Sequence, residues 1–276
     1  MIVQIRLTIA TVVLYFILKS QKTPLLKWFR YWKQFLIMSI LAVVFPWSLL
    51  SFAEEKTSSA LAGVMNSCVP IFTCILAHYF LENEKFSKQK LTGLCFGFVG
   101  IGLIFIPSVI ASGIENALGL GYLIFGCISS ASSIVYAKKH LTSLPSLIPP
   151  FMQMLFGTVV ITSINLSLKQ EVFQRGLYFE SIIAILILGI IATALAFILF
   201  YYLISHAGAT FTSTSSLIIP LLSIFFGVIF LSEKITPLAY VGSLFVLISL
   251  VITNSLIKIK TLKALFVSRE EEEFKE

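Results

Sequence analysis

Residues 58–103 read SSALAGVMNSCVPIFTCILAHYFLENEKFSKQKLTGLCFGFVGIGL, and residues 208–251 read GATFTSTSSLIIPLLSIFFGVIFLSEKITPLAYVGSLFVLISLV. Laid over one another, they align Pro70 with Pro220, Glu84 with Glu233, Lys85 with Lys234 and Gly93 with Gly242. The offset slips from 150 to 149 between the Pro and the Glu, so the first copy carries one extra residue. Each copy is a long apolar stretch containing a Pro, then a Glu-Lys turn, then a second apolar stretch that starts near a Gly. Two apolar hairpins can look alike by chance, but a shared Pro, Glu-Lys and Gly at near-constant spacing argue for an internal repeat.

The composition says which solvent these stretches need. Of 276 residues, 58% are apolar and 12% charged, where a soluble domain carries about 25% charged residues. With a mean hydropathy of +0.97, the chain reads as all-α and polytopic in a membrane. Charge-free stretches run 34–53, 57–81, 91–114, 116–137, 140–168, 181–232 and 235–257. A span needs about 20 apolar residues, so 181–232 must fold back, and Ser205-His206-Ala207-Gly208 is the polar turn that breaks it. That makes eight spans. Residues 2–18 add a ninth, with Arg6 expected at the lipid–water boundary. A signal-like anchor is the alternative there, but a basic leader and a small-residue cleavage site are missing.

Orientation follows from the basic residues. With the N-terminus outside, the inner segments hold 15 of the 20 Lys and Arg, including Lys19, Lys22, Lys85, Lys88, Lys138 and Lys139. This puts the C-terminus, with its charged tail at 258–276, in the cytoplasm. The turn of Glu84 is then cytoplasmic and that of Glu233 external, so the two copies are inverted. Inverted repeats that hold a solute at their interface are a design of secondary transporters. The net charge of +7 is accounted for by loops facing anionic headgroups. No basic stripe with interleaved aromatics points to nucleic acid.

These elements resemble the drug/metabolite transporter superfamily, and within it the EamA-type transporters. The resemblance rests on Pro70, the turn Leu81-Glu82-Asn83-Glu84 and Gly93/Gly100 in one half, and on Pro220, Leu231-Ser232-Glu233 and Gly242 in the other. It implies two inverted five-helix halves, here 1–107 and 116–257. The stretch Gln4-Ile5-Arg6-Leu7 resembles the start of the family's second helix, so the resemblance implies a chain lacking the first helix, with about nine spans. Ser249 stands where the first half has Gly100.

Candidate substrate-cavity residues are the larger polar or aromatic groups within spans: Trp47, Asn66, Tyr136, Gln153, Tyr201 and Ser213, with Thr193 in a further span. Such groups bind a polar solute or stack on an organic cation, or else bond neighbouring helices. Pro70 and Pro220 are hinge candidates, since a Pro within a span frees a backbone carbonyl and kinks the helix. Gly93, Gly97 and Gly100 form a small-residue stripe suited to close helix packing, or to a homodimer contact.

Other classes are excluded or disfavoured by what is missing. There is no Asp, so aspartyl-phosphate chemistry is excluded. No HExxH, GxSxG or P-loop pattern appears, and three scattered His residues give no enzyme site. Cys68, Cys74, Cys95 and Cys127 match no metal spacing, and no cofactor is implied. No carboxylate occupies the centre of a span, which disfavours a proton relay. The reading is a carrier of small metabolites, amino acids or related zwitterionic or cationic solutes. It would work by alternating access as a uniporter or exchanger in a bacterial cytoplasmic (inner) membrane. A lipid or lipid-linked-sugar flippase and a non-transporting membrane scaffold are the alternatives.

Overall fold

In lipid every backbone N–H and C=O must be satisfied within the protein, so apolar stretches of this length become helices. The computed structural model describes residues 2–54, 68–85, 87–112, 117–167, 179–219, 221–222, 229, 237–238 and 240–253, and among these there is no strand. Helix α1 is Ile2–Ser20. A 3-10 turn, Leu26–Tyr31, leads into α2, Trp32–Ser39, and α3, Phe45–Glu54. There follow α4 (Val69–Phe80), α5 (Lys88–Ser112), α6 (Ala117–His140) and α7 (Ile148–Ser167). Then come α8 (Phe179–Gly189), α9 (Ala196–Ala207), α10 (Ala209–Thr214) and α11 (Tyr240–Thr253).

Among the described residues, four helical stretches are both long and apolar enough to cross a membrane: Val3–Ser20, Leu26–Ala53, Ile148–Ser167 and Ile183–Ala207. Helix α5, at 25 residues, is roughly 37 Å long at 1.5 Å per residue, enough to cross as well. Their outer faces carry Phe16, Phe52, Phe98, Leu166 and Leu199, all exposed. Such a surface is stable only against hydrocarbon.

The long stretch 181–232 reverses where the sequence predicts. Gly208 has φ +92°, a left-handed conformation that separates α9 from α10 and that an L side chain adopts only at a cost.

The halves interlock. Helix α1 packs along α7 and α8, α3 along α6, and α4 along α6 and α10. The main core joins Leu7, Leu14 and Leu18 of α1 to Phe35, Met38, Met152 and Ile204. Polar contacts add to it: Gln4 Nε2 donates to Thr162 Oγ1 at 3.0 Å, and Asn165 Nδ2 donates to Gln4 Oε1 at 2.7 Å. Between α5 and α11 the glycine stripe makes an intrachain contact. A Cβ on Gly97 would lie 2.6 Å from Ser249 Oγ, and one on Gly100 would lie 2.6 Å from the Gly242 carbonyl. The face that the stripe would need for a homodimer is therefore filled by α11.

Two helices carry one widened turn each. Ile40–Val44 joins α2 to α3, and Ile190–Leu195 joins α8 to α9, both with i→i−5 hydrogen bonding. They begin at residues 40 and 190, the same 150-residue offset that aligns Pro70 with Pro220. The first has a local cause: Pro46 has no N–H for the carbonyl of Ala42 and its ring crowds that carbonyl, so the preceding turn opens. The second lacks a Pro. There the Thr193 hydroxyl donates to the Leu188 carbonyl at 2.8 Å, a side chain inserted in the backbone ladder.

Candidate substrate site

Widened turns leave carbonyls short of their usual donors and recur at functional sites. The Leu41 carbonyl, in the first, is met by Ser129 Oγ of α6 at 2.8 Å. Replacing Ser129 with Ala leaves that carbonyl unpaired, at a cost of about 1–2 kcal/mol. A lower thermal midpoint is expected than in Ser132→Ala, whose hydroxyl bonds only the Ile128 carbonyl of its own helix.

Trp47 lies three residues beyond the first widened turn. The Arg6 guanidinium of α1 sits over its ring, 4.2 Å from the centroid. Arg6 Nε also donates to Thr193 Oγ1 at 3.1 Å, inside the second widened turn. One cation thus connects the two helices that carry the symmetry-related turns. Arg6 faces the bundle interior and is half-buried. Thr193 is fully buried. Beside Trp47 is a recess of about 100 Å³ lined by Pro46, Tyr122, Gly126 and Ser130.

The other candidates lie elsewhere. Gln153 and Tyr201 are buried against each other, with Tyr201 OH donating to Gln153 Oε1 at 2.6 Å. Ser39 Oγ donates to the Gln153 carbonyl at 2.7 Å, so this knot ties α2, α7 and α9 together, while Gln153 Nε2 has no partner among the described residues. Tyr136 stacks on His140, centroids 4.4 Å apart, and lines a cavity of about 350 Å³ with Leu76, Phe80 and Lys139. Ser213 is buried and donates to the Thr210 carbonyl of its own helix. Pro70 is buried in the first turn of α4, where a missing N–H costs least. Asn66, Pro220 and Glu233 lie outside the described residues.

Glu84 gains a role that its place at a helix end did not reveal. Its carboxylate accepts from the Ala209 and Thr210 backbone N–H groups at 2.6 and 2.8 Å, and from the Thr210 hydroxyl at 2.7 Å. It therefore caps the N-terminus of α10 across the halves, where the helix dipole favours an anion. Close by, Lys138 Nζ donates to the Ile204 and Ser205 carbonyls at 2.9 and 3.0 Å, at the end of α9. Both helix ends at the Gly208 turn are thus held by a charge of the favourable sign. Sequence reading singled out Arg6 only as a residue for ion coupling and not for the substrate cavity; the available signal was a lone Arg inside an otherwise charge-free run.

The model of the EamA-like transporter family matches residues 1–106 and again residues 117–255. The chain belongs to the EamA-like transporter family. Among its relatives is the uncharacterized transporter YoaV of Bacillus subtilis (strain 168), 23% identical over 242 residues, which cover 88% of this chain and 82% of that one. An uncharacterized transporter of Archaeoglobus fulgidus is 27% identical over 203 residues, 74% of this chain and 70% of its own. A solved crystal structure superposes with a TM-score of 0.79 at 13% identity, covering 92% of this chain and 86% of the other, which shows the shared fold. This EamA-like chain is accordingly an integral membrane transporter.

Proposed function

We propose that this EamA-like protein carries small polar metabolites, amino acids or related zwitterions, across a bacterial cytoplasmic membrane by alternating access. The observation that supports this most is the Glu84 grip on α10. It joins the halves at one end through a few polar bonds, which exchange readily with water when the end opens. The second half of the sequence carries its own Glu-Lys motif, Glu233-Lys234, and in this reading it serves the opposite end. Arg6, Trp47 and Thr193 present polar and aromatic groups at the contact of the two halves. Transport as a uniporter or exchanger fits the carboxylates among the described residues, Glu54, Glu82, Glu84 and Glu180, which lie at or beside helix ends.

Counterflow into liposomes holding the purified protein tests this, with labelled amino acids, S-adenosylmethionine, nucleotides and small organic cations as the panel. Saturable uptake of one class is expected. Silence across the panel, with correctly inserted protein, refutes the carrier reading and favours lipid flipping. In the same assay, Pro70→Ala and Pro220→Ala are each expected to slow transport several-fold while insertion stays near the parent level. Parent-rate transport by both variants removes the hinge role of these residues.

A further inference from the structure

We infer that Arg6 is the recognition point for a single carboxylate on the transported solute; this rests on the carrier reading above and narrows its substrate class. A cation within a membrane span is costly and is retained where it pairs or acts. Arg6 has a flexible side chain that could reach toward the headgroups, yet it is turned inward and held on two sides. Its plane lies over Trp47, and its Nε is bonded to Thr193. The Thr193 proton is committed to the Leu188 carbonyl, so its oxygen acts on Arg6 only as an acceptor. That fixes the guanidinium and leaves its two terminal nitrogens without a protein partner among the described residues, on a half-buried side chain.

A terminal N–H pair held in this way matches the two oxygens of a carboxylate. The charge balance points the same way. No carboxylate pairs with Arg6 among the described residues, and the spans around it are free of other charge. One fixed positive charge is matched by one carboxylate, whether of an amino acid or of a simple organic acid. A phosphate dianion would be left with charge uncompensated, and an organic cation would be repelled in this low-dielectric setting. Because Arg6 belongs to the first half and Thr193 to the second, a carboxylate bound here also touches the joint between them.

The test is the thermal midpoint of the purified full-length protein in detergent. The probes are leucine, phenylalanine, lactate and benzoate, each compared with its amide, with inorganic phosphate and phenethylamine alongside. At least one acid is expected to raise the midpoint saturably, its amide not. Arg6→Gln should weaken that acid at least about tenfold, and Arg6→Lys should fall between, because an ammonium keeps the charge and lacks the fork. Should Arg6→Gln fail to elute as the parent does, Arg6→Lys and Thr193→Val carry the comparison. The inference is overturned if no acid raises the midpoint, if amides match acids, if phosphate or phenethylamine exceeds every acid, or if the variants bind as the parent does. An acid that binds but is not carried in counterflow refutes the carrier and leaves the site standing. Counterflow of a neutral or cationic solute unaffected by Arg6→Gln upholds the carrier and removes the site.

Discussion

Gly100→Leu is expected to leave little folded protein, seen as loss of the monodisperse peak in detergent and a much lower thermal midpoint in whatever remains. A first added carbon at Gly100 already meets the Gly242 carbonyl at 2.6 Å and the Phe245 and Val246 side chains at 2.9 Å. A backbone oxygen cannot rotate away, so α5 and α11 must separate. Overpacking of this kind costs about 1–3 kcal/mol where neighbours can adjust and more where they cannot. Separation would also uncover Ile101, Ile104, Leu217 and Val246, the cluster these helices bury. The control is Gly102→Leu, two residues on, where an added Cβ meets nothing within 4 Å. Similar behaviour of the two variants would show that the glycine contact does not hold the helices together.

Glu84→Ala is expected to free the end of the bundle that Glu84 holds without unfolding the protein. Three hydrogen bonds to one carboxylate are lost at once, two of them from backbone N–H groups in the first turn of α10. Loss of such a cap costs about 0.5–2 kcal/mol, so the closed arrangement of that end should become roughly 2- to 30-fold less favoured. The readout is labelling of a cysteine placed at buried Ser213 of α10 by a membrane-impermeant maleimide. Labelling should rise several-fold in Glu84→Ala and less in Glu84→Gln, whose amide oxygen still accepts. Unchanged labelling in both variants would reduce the Glu84 contact to a static cap.

Much of the architecture was legible from charge and apolarity because lipid leaves the backbone few options. Charge-free runs of about span length had to become helices, and the reversal at Ser205–Gly208 could be placed because a 52-residue run cannot cross once. The repeat was legible because Pro, Glu-Lys and Gly recur at near-constant spacing in the two halves. The site was less legible. A Ser or Tyr in a span bonds a solute or another helix with the same chemistry, and Gln153, Tyr201 and Ser213 are bonded within the bundle. The direction of the Arg6 side chain depends on what α3 and the second widened turn place beside it, which its position along α1 does not tell.

Residue order alone therefore determined the solvent, the helices, the repeat and the family, since each depends on composition or short-range spacing. Tertiary structure decided which groups meet. Arg6 reaches Thr193 across 187 residues and Glu84 reaches Ala209 across 125. Contacts that distant in the chain follow from how helices rotate and pack against one another, which no local pattern encodes.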